Sequence, residues 1–241
     1  MVAHAEARTL SPASHPLILV KLLLGVLGLM ALLLALTPIL DRFRRRTLRR
    51  VLRDVTEVLG AHGVTYWSDF GTLLGLVRDG DIILGDKDVD LCVLDGERPR
   101  VMGAAADFAS RGYALTGEGG AKRKLMRVFD RRTPFYADIY PYVPEGDTLR
   151  SVLDPRDDVP KDLVKDTTLL AFQGAQVSVP RDPGPLLAYR YGPTYKVPRR
   201  NDKGRAGGSG LWHSLLQDLE ASALFLWFYL RRALGAAPAR A

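Results

Sequence analysis

The hydrophobic pattern divides the chain into an apolar run, an amphipathic stretch and a set of short alternating segments. Residues 16–40 read PLILVKLLLGVLGLMALLLALTPIL, apolar except for Lys21. No charge falls between Leu22 and Leu40, about the length a helix needs to cross the hydrocarbon core of a bilayer. A buried core helix would have to cover an apolar surface on all sides. A cleaved signal peptide fits poorly, because no small-residue cleavage site follows the run. One transmembrane helix over residues 16–40 is therefore predicted, after a tail at 1–15. Residues 47–61 place Val51, Leu52, Val55, Val58 and Leu59 at helical spacing, which predicts an amphipathic helix ended by Gly63.

Beyond Gly63 the period changes. Residues 64–68 (VTYWS) are β-branched and aromatic and read as a strand. A short helix is expected at 73–77, a turn at 78–81, and a strand at Asp88–Leu94 that begins with alternation and turns fully apolar. Residues 100–111 read as one helix. Two hairpins are expected, from 124–129 with 135–143 and from 169–172 with 175–179. Helices mixed with hairpin-joined strands predict an α+β domain built on a mixed sheet. Residues 199–210 turn to glycine and charge and read as a linker. Residues 211–233 form an amphipathic helix, which either packs on the core or lies in the membrane interface.

Charge sharpens this picture. The net charge of +7 comes almost wholly from residues 41–53, where seven arginines stand against one aspartate. Residues 54–241 are balanced. The basic segment, 41–58, follows the apolar run directly and lacks interleaved aromatics, so a nucleic-acid partner is not expected. Its arginines can meet anionic lipid phosphates. The positive-inside rule places the C-terminal side in the cytoplasm. Cys92 is the sole cysteine, which excludes a disulfide framework and any zinc site resting on paired cysteines.

Candidate chemistry lies between Asp69 and Asp138. Asp88 and Asp90 are two apart on a strand, so both carboxylates project from one face. Paired oxygen ligands suit a hard cation such as Mg²⁺. A solvated acidic turn explains any one Asp-x-Asp equally well, and Asp79/Asp81 and Asp86/Asp88 offer the same spacing. Gly71 and Thr72, between a strand and a helix, put a glycine and a hydroxyl where free N–H groups favour a phosphate. Asp138, in the apolar FYADIYPY, is costly to bury alone. It is either a third metal ligand or the partner of Arg127, Arg131 or Arg132. Arg78 is either a clamp for a diphosphate or part of a surface turn.

In order along the chain, Trp67-Ser68-Asp69-Phe70-Gly71-Thr72-Leu73-Leu74-Gly75, Arg78, Asp86-Lys87-Asp88-Val89-Asp90 and Asp138-Ile139-Tyr140-Pro141 resemble the LicD family. A further block agrees, from Phe172-Gln173-Gly174 through Val179-Pro180-Arg181-Asp182-Pro183 to Tyr189-Arg190-Tyr191-Gly192. The resemblance covers residues 59–198. It implies a nucleotidyltransferase-like fold and metal-dependent transfer, with Mg²⁺ or Mn²⁺. A phospho-substituent, phosphocholine or an alditol phosphate, would pass from a CDP-linked donor to a sugar hydroxyl of a glycan or its lipid-linked precursor. Asp88, Asp90 and Asp138 match the family's metal carboxylates, and Gly71 and Thr72 its phosphate loop. Arg78 and Asp86 join them as substrate contacts. Two other readings stay open: a membrane-tethered module without activity, with Lys87 standing in for the cation, and an enzyme that nucleotidylates a small molecule.

Overall fold

The computed structural model describes residues 14–117, 125–198 and Leu230. The expected linker at 199–210 and helix at 211–233 lie outside the described residues, Leu230 excepted. A single 48-residue helix, α1 (Ser14–Ala61), joins the apolar run and the basic segment without a break, with Pro38 inside it. It is long and apolar enough to cross a membrane, and its most apolar window is wholly exposed, with a mean hydropathy of 2.7. Its second half does the opposite. Leu48, Val51, Leu52, Val55, Val58 and Leu59 are buried in the main hydrophobic core. The folded domain thus begins near Leu48, earlier than the expected boundary at residue 59. Gly63 ends the helical segment at a φ of +63°, as its position predicts.

The strands that follow are β1 (Tyr66–Ser68), β2 (Asp88–Leu94), β3 (Tyr113–Thr116), β4 (Met126–Asp130) and β5 (Tyr136–Glu145). With β6 (Thr148–Ser151) and β7 (Val159–Pro160) they form a seven-stranded mixed sheet of core order β1-β2-β5-β4-β3. β2 and β5 run parallel at its centre, while the other pairs are antiparallel. A parallel pair covered on both faces needs a nearly continuous apolar run, which β2 supplies from Val89 to Val93. Pro141 falls where β5 changes neighbours, β4 reaching Ile139 and β6 beginning at Tyr142, a position that suits a residue without an N–H. β8 (Thr167–Phe172) and β9 (Ala175–Pro180) form the second expected hairpin, beside β1.

Between β1 and β2, α2 (Phe70–Leu74) runs on into a π-helical turn at Gly75–Asp79. Gly75 is required there, since a Cβ would lie 2.4 Å from the carbonyl oxygen of Asp81. The single helix expected at 100–111 is two, α3 (Arg98–Gly103) and α4 (Ala105–Ser110), parted beside the weak helix former Gly103. Pattern reading did not anticipate β3, β6, β7 or α5 (Pro183–Tyr191).

Two acidic side chains fasten α1 to the domain. Asp81 accepts from Arg49 Nε at 2.7 Å and pairs with Arg45 at 3.2 Å. Asp130 takes Arg50 at 2.5 Å, Arg132 at 3.0 Å and the Thr133 hydroxyl at 2.7 Å. Burial pushes both carboxyls up. The hydrogen bonds of Arg49 on Asp81, and of Thr133 and Arg132 on Asp130, outweigh it and hold both below the ordinary aspartate value. A depressed carboxylate contributes stability that is present above its unfolded pKa, near 4, and lost as pH falls through the folded value. The melting temperature should therefore hold steady above about pH 5 and fall below about pH 4. The double variant Asp81→Asn/Asp130→Asn should flatten that fall; an unchanged profile in calorimetry would refute the pairing.

Candidate active site

The parallel register of β2 and β5 builds the site. Asp90 lies opposite Asp138, and Asp88 opposite Tyr136. Cross-strand neighbours share a face, as do positions two apart on one strand, so the three carboxylates project to one side of the sheet. The β1–α2 turn closes over the same end. The Thr72 hydroxyl oxygen accepts the Asp90 N–H at 2.8 Å, and the Asp69 N–H donates to the Asp90 carbonyl at 3.3 Å. Phe70 has a φ of +49°, an unfavourable region for a bulky side chain. Three contacts hold it there: its N–H donates to the Asp69 carboxylate at 2.7 Å, and its ring lies 4.3 Å from the Arg190 guanidinium and 5.0 Å from the Tyr140 ring. Strain of this kind at a turn between strand and helix fits a functional loop.

Gly71 follows immediately. A Cβ there would meet the Asp86 carboxylate at 3.2 Å, so Asp86 lies directly over the glycine. Asp90 is buried, and its carboxyl is pushed well above the usual range by burial and by the charges of Asp88, Asp86, Asp138 and Asp69. The same crowd raises neighbouring phenols. Burial and Asp88 lift Tyr136 to about 12, and burial and Asp90 raise Tyr140 strongly.

Two of the carboxylates carry their own arginine. Asp138 is gripped by Arg127 through two contacts, from Nε and from Nη2 at 2.7 Å. The guanidinium also lies 4.0 Å from the Tyr136 ring. The ion-pair alternative for Asp138 thus exists, with Arg127, its cross-strand partner on β4. Asp69, fully buried, receives Arg190 Nη2 at 2.7 Å and Nε at 3.2 Å. Arg190 also donates to the Tyr142 hydroxyl at 3.1 Å and the Asp157 carbonyl at 2.8 Å. This pair ties α5 to the turn, and pattern reading missed it. The signal was the arginine inside Tyr189-Arg190-Tyr191-Gly192, which nothing local connects to Asp69.

The remaining expected residues sort as follows. Arg78 places its fork on the neighbouring Asp79, at 2.8 and 2.9 Å. Lys87 forms no ion pair with a carboxylate among the described residues. Among the described residues no three His, Cys, Asp or Glu groups stand together as a ready metal cage. The donor set itself is all carboxylate, and the crowding felt by Asp90 is what a divalent cation relieves. A magnesium ion held by one or two carboxylates and completed by substrate phosphates needs no such cage.

A mixed α/β domain with carboxylates on the central parallel strands and a strand–Gly–helix turn above them is the arrangement of a nucleotidyltransferase-type domain. Residues 63–182 match the family described as LicD/FKTN/FKRP, nucleotidyltransferase domain. The chain belongs to the LicD family. Ribitol 5-phosphate transferase FKRP of Mus musculus and of Homo sapiens are each 31% identical over 156 residues, 61% of this chain and 32% of the relative. The chain therefore spans about a third of the length of these curated relatives. Among solved structures, the antibiotic-resistance factor ANT(2'')-Ia in solution is similar with a TM-score of 0.44 and 12% identity, over 79% of this chain and 95% of that one.

The Asp69–Arg190 pair gives a direct stability test. Arg190→Met keeps much of the volume but leaves a buried carboxylate without its counter-charge. A loss of about 3–5 kcal/mol in denaturant unfolding is expected. A loss below 1 kcal/mol would mean that the pair does not hold the turn.

Proposed function

We propose that the chain is a membrane-anchored phosphotransferase that moves a phospho-substituent from a CDP-linked donor to a sugar hydroxyl of a glycan or its lipid-linked precursor. The observation that carries this reading is the convergence of Asp88, Asp90 and Asp138 on one face, beneath the Gly71 turn. The LicD-family match supports a transferase, and the curated relatives are named for ribitol 5-phosphate transfer. The helix α1 supplies the anchor, and the arginine asymmetry puts the catalytic domain on the cytoplasmic side, where the donor would be met.

Asp88 and Asp90 would hold Mg²⁺ or Mn²⁺. When bound, the ion supplies charge compensation at the donor's diphosphate, the main requirement of phosphoryl-type transfer. The protein's own groups do the rest. Gly71, lacking a Cβ, lets the diphosphate approach the turn. Thr72 holds that turn to β2 through the Asp90 N–H. Arg127 engages both oxygens of the Asp138 carboxylate and fixes it at the edge of the acidic pair. Asp86, over Gly71, is then the better base for the acceptor hydroxyl.

The test is a donor panel of CDP-choline, CDP-glycerol and CDP-ribitol, scored for CMP release by the full chain in nanodiscs. Release dependent on Mg²⁺ or Mn²⁺ is expected. Pyrophosphate as the product would instead identify a nucleotidylating enzyme. Asp88→Asn and Asp90→Asn should each lower turnover at least a hundredfold and abolish the rise in melting temperature caused by Mn²⁺. The double variant should lose little more than the worse single one. A full Mn²⁺ shift in Asp138→Asn would remove Asp138 from the metal set and leave it as Arg127's partner.

Gly71→Val would press a branched side chain on Asp86 and on the diphosphate path. It should raise the donor KM at least tenfold while leaving the melting temperature within a few degrees. Full activity in that variant would reduce Gly71 and Thr72 to a helix cap.

A further inference from the structure

Just past the apolar run, α1 lines a cavity of about 830 Å³, well within the range of ligand pockets. Six arginines face it: Arg42, Arg45, Arg46, Arg49, Arg50 and Arg53. Asp81 serves Arg45 and Arg49, Asp130 serves Arg50, and Asp54 serves Arg53. Arg42 and Arg46 pair with no carboxylate among the described residues. Arg45 Nε is buried without a hydrogen-bond partner there. The cavity therefore keeps a surplus of guanidinium donors, the group best shaped to grip phosphate oxygens in pairs.

The position along α1 narrows the ligand. At 1.5 Å per residue, Arg42 stands about 3 Å and Arg53 about 20 Å beyond Leu40, the last residue of the uncharged stretch. The headgroup layer is only about 5–8 Å deep on each side of the hydrocarbon. The arginine row thus starts at the level of lipid phosphates and runs well past it. An ordinary phospholipid phosphate reaches only its beginning, whereas a diphosphate carrying a sugar reaches along it. The cavity adjoins the loop that reaches the acidic site: Leu84 lines it, and Asp86, two residues on, lies against Gly71.

We propose that this cavity binds the diphosphate headgroup of a prenyl-type lipid that carries the acceptor sugar, so that the acceptor arrives from the membrane beside Asp86. The acceptor role rests on the transferase reading above; the binding of a lipid-borne diphosphate does not. The cavity then orients the acceptor, while the carboxylate face handles the donor.

The probe is farnesyl diphosphate, titrated into the full chain in phosphatidylcholine nanodiscs with EDTA present, which keeps diphosphate off the carboxylates. Empty discs serve as reference, and inorganic pyrophosphate is the second arm. Farnesyl diphosphate should bind at least tenfold more tightly than pyrophosphate. Arg42→Gln/Arg46→Gln should weaken that binding at least tenfold at an unchanged melting temperature, since neither residue pairs within the domain. Equal affinity for pyrophosphate would overturn the lipid assignment, and wild-type affinity in the double variant would overturn the cavity assignment. Absence of CMP release with every donor would sink the transferase reading and leave this binding result standing. Intact CMP release without farnesyl diphosphate binding would sink only the present inference.

Discussion

Crowding of negative charge at the start of β2 is the constraint around which the domain is arranged. Asp90 is buried among Asp88, Asp86, Asp138 and Asp69, and its carboxyl is pushed far toward the neutral form. A fold that only sought stability would not assemble that set, because desolvation and like charge act together against it. The neighbouring elements are placed where they offset it. β4 supplies Arg127 to Asp138, and α5 supplies Arg190 to Asp69. The phenols of Tyr136 and Tyr140 remain protonated beside the carboxylates. For Asp90 no ion-pair partner is provided among the described residues, and in the proposed function a divalent ion would supply the missing counter-charge.

The turn above this cluster is over-determined for the same reason. Phe70 keeps its positive φ because its N–H is held by Asp69 and its ring packs on Arg190 and Tyr140. Arg190 is the hinge of that arrangement. Burial works against its charge, yet the Asp69 carboxylate holds it firmly protonated. One guanidinium thus balances a buried carboxylate, supports a strained backbone and docks the last described helix.

The helix α1 runs without a break from an exposed apolar half to a half buried in the domain. Its first half exposes leucines on every side, and its second half is part of the domain core. Asp81 and Asp130 grip its arginines at the crossing point, and the cavity opens beside that grip. In the function proposed above, α1 would be the link between a membrane-held acceptor and the carboxylate face. Loop 82–87 makes the last step, with Ile82 in the core, Leu84 at the cavity and Asp86 at Gly71.

Much of this was legible in the sequence, and the rest was not for one reason. Local periodicity sufficed for the apolar run, the stop at Gly63, the bounds of Asp88–Leu94 and the two hairpins, because each depends on neighbours a few residues apart. The Asp88/Asp90 face followed from the two-residue repeat of a strand, and the ordered motifs pointed to the family. Tertiary structure alone decided which arginine meets Asp138, since Arg127, Arg131 and Arg132 are alike in composition and only the β4–β5 register separates them. It alone brought Asp138 beside Asp90, through a parallel pairing across the intervening helices and strands. It joined Asp69 to Arg190 over 121 positions. It also turned a run of arginines that reads as a lipid contact into one wall of a cavity. Contacts of that span are set by how whole elements pack, and no pattern within a single element encodes them.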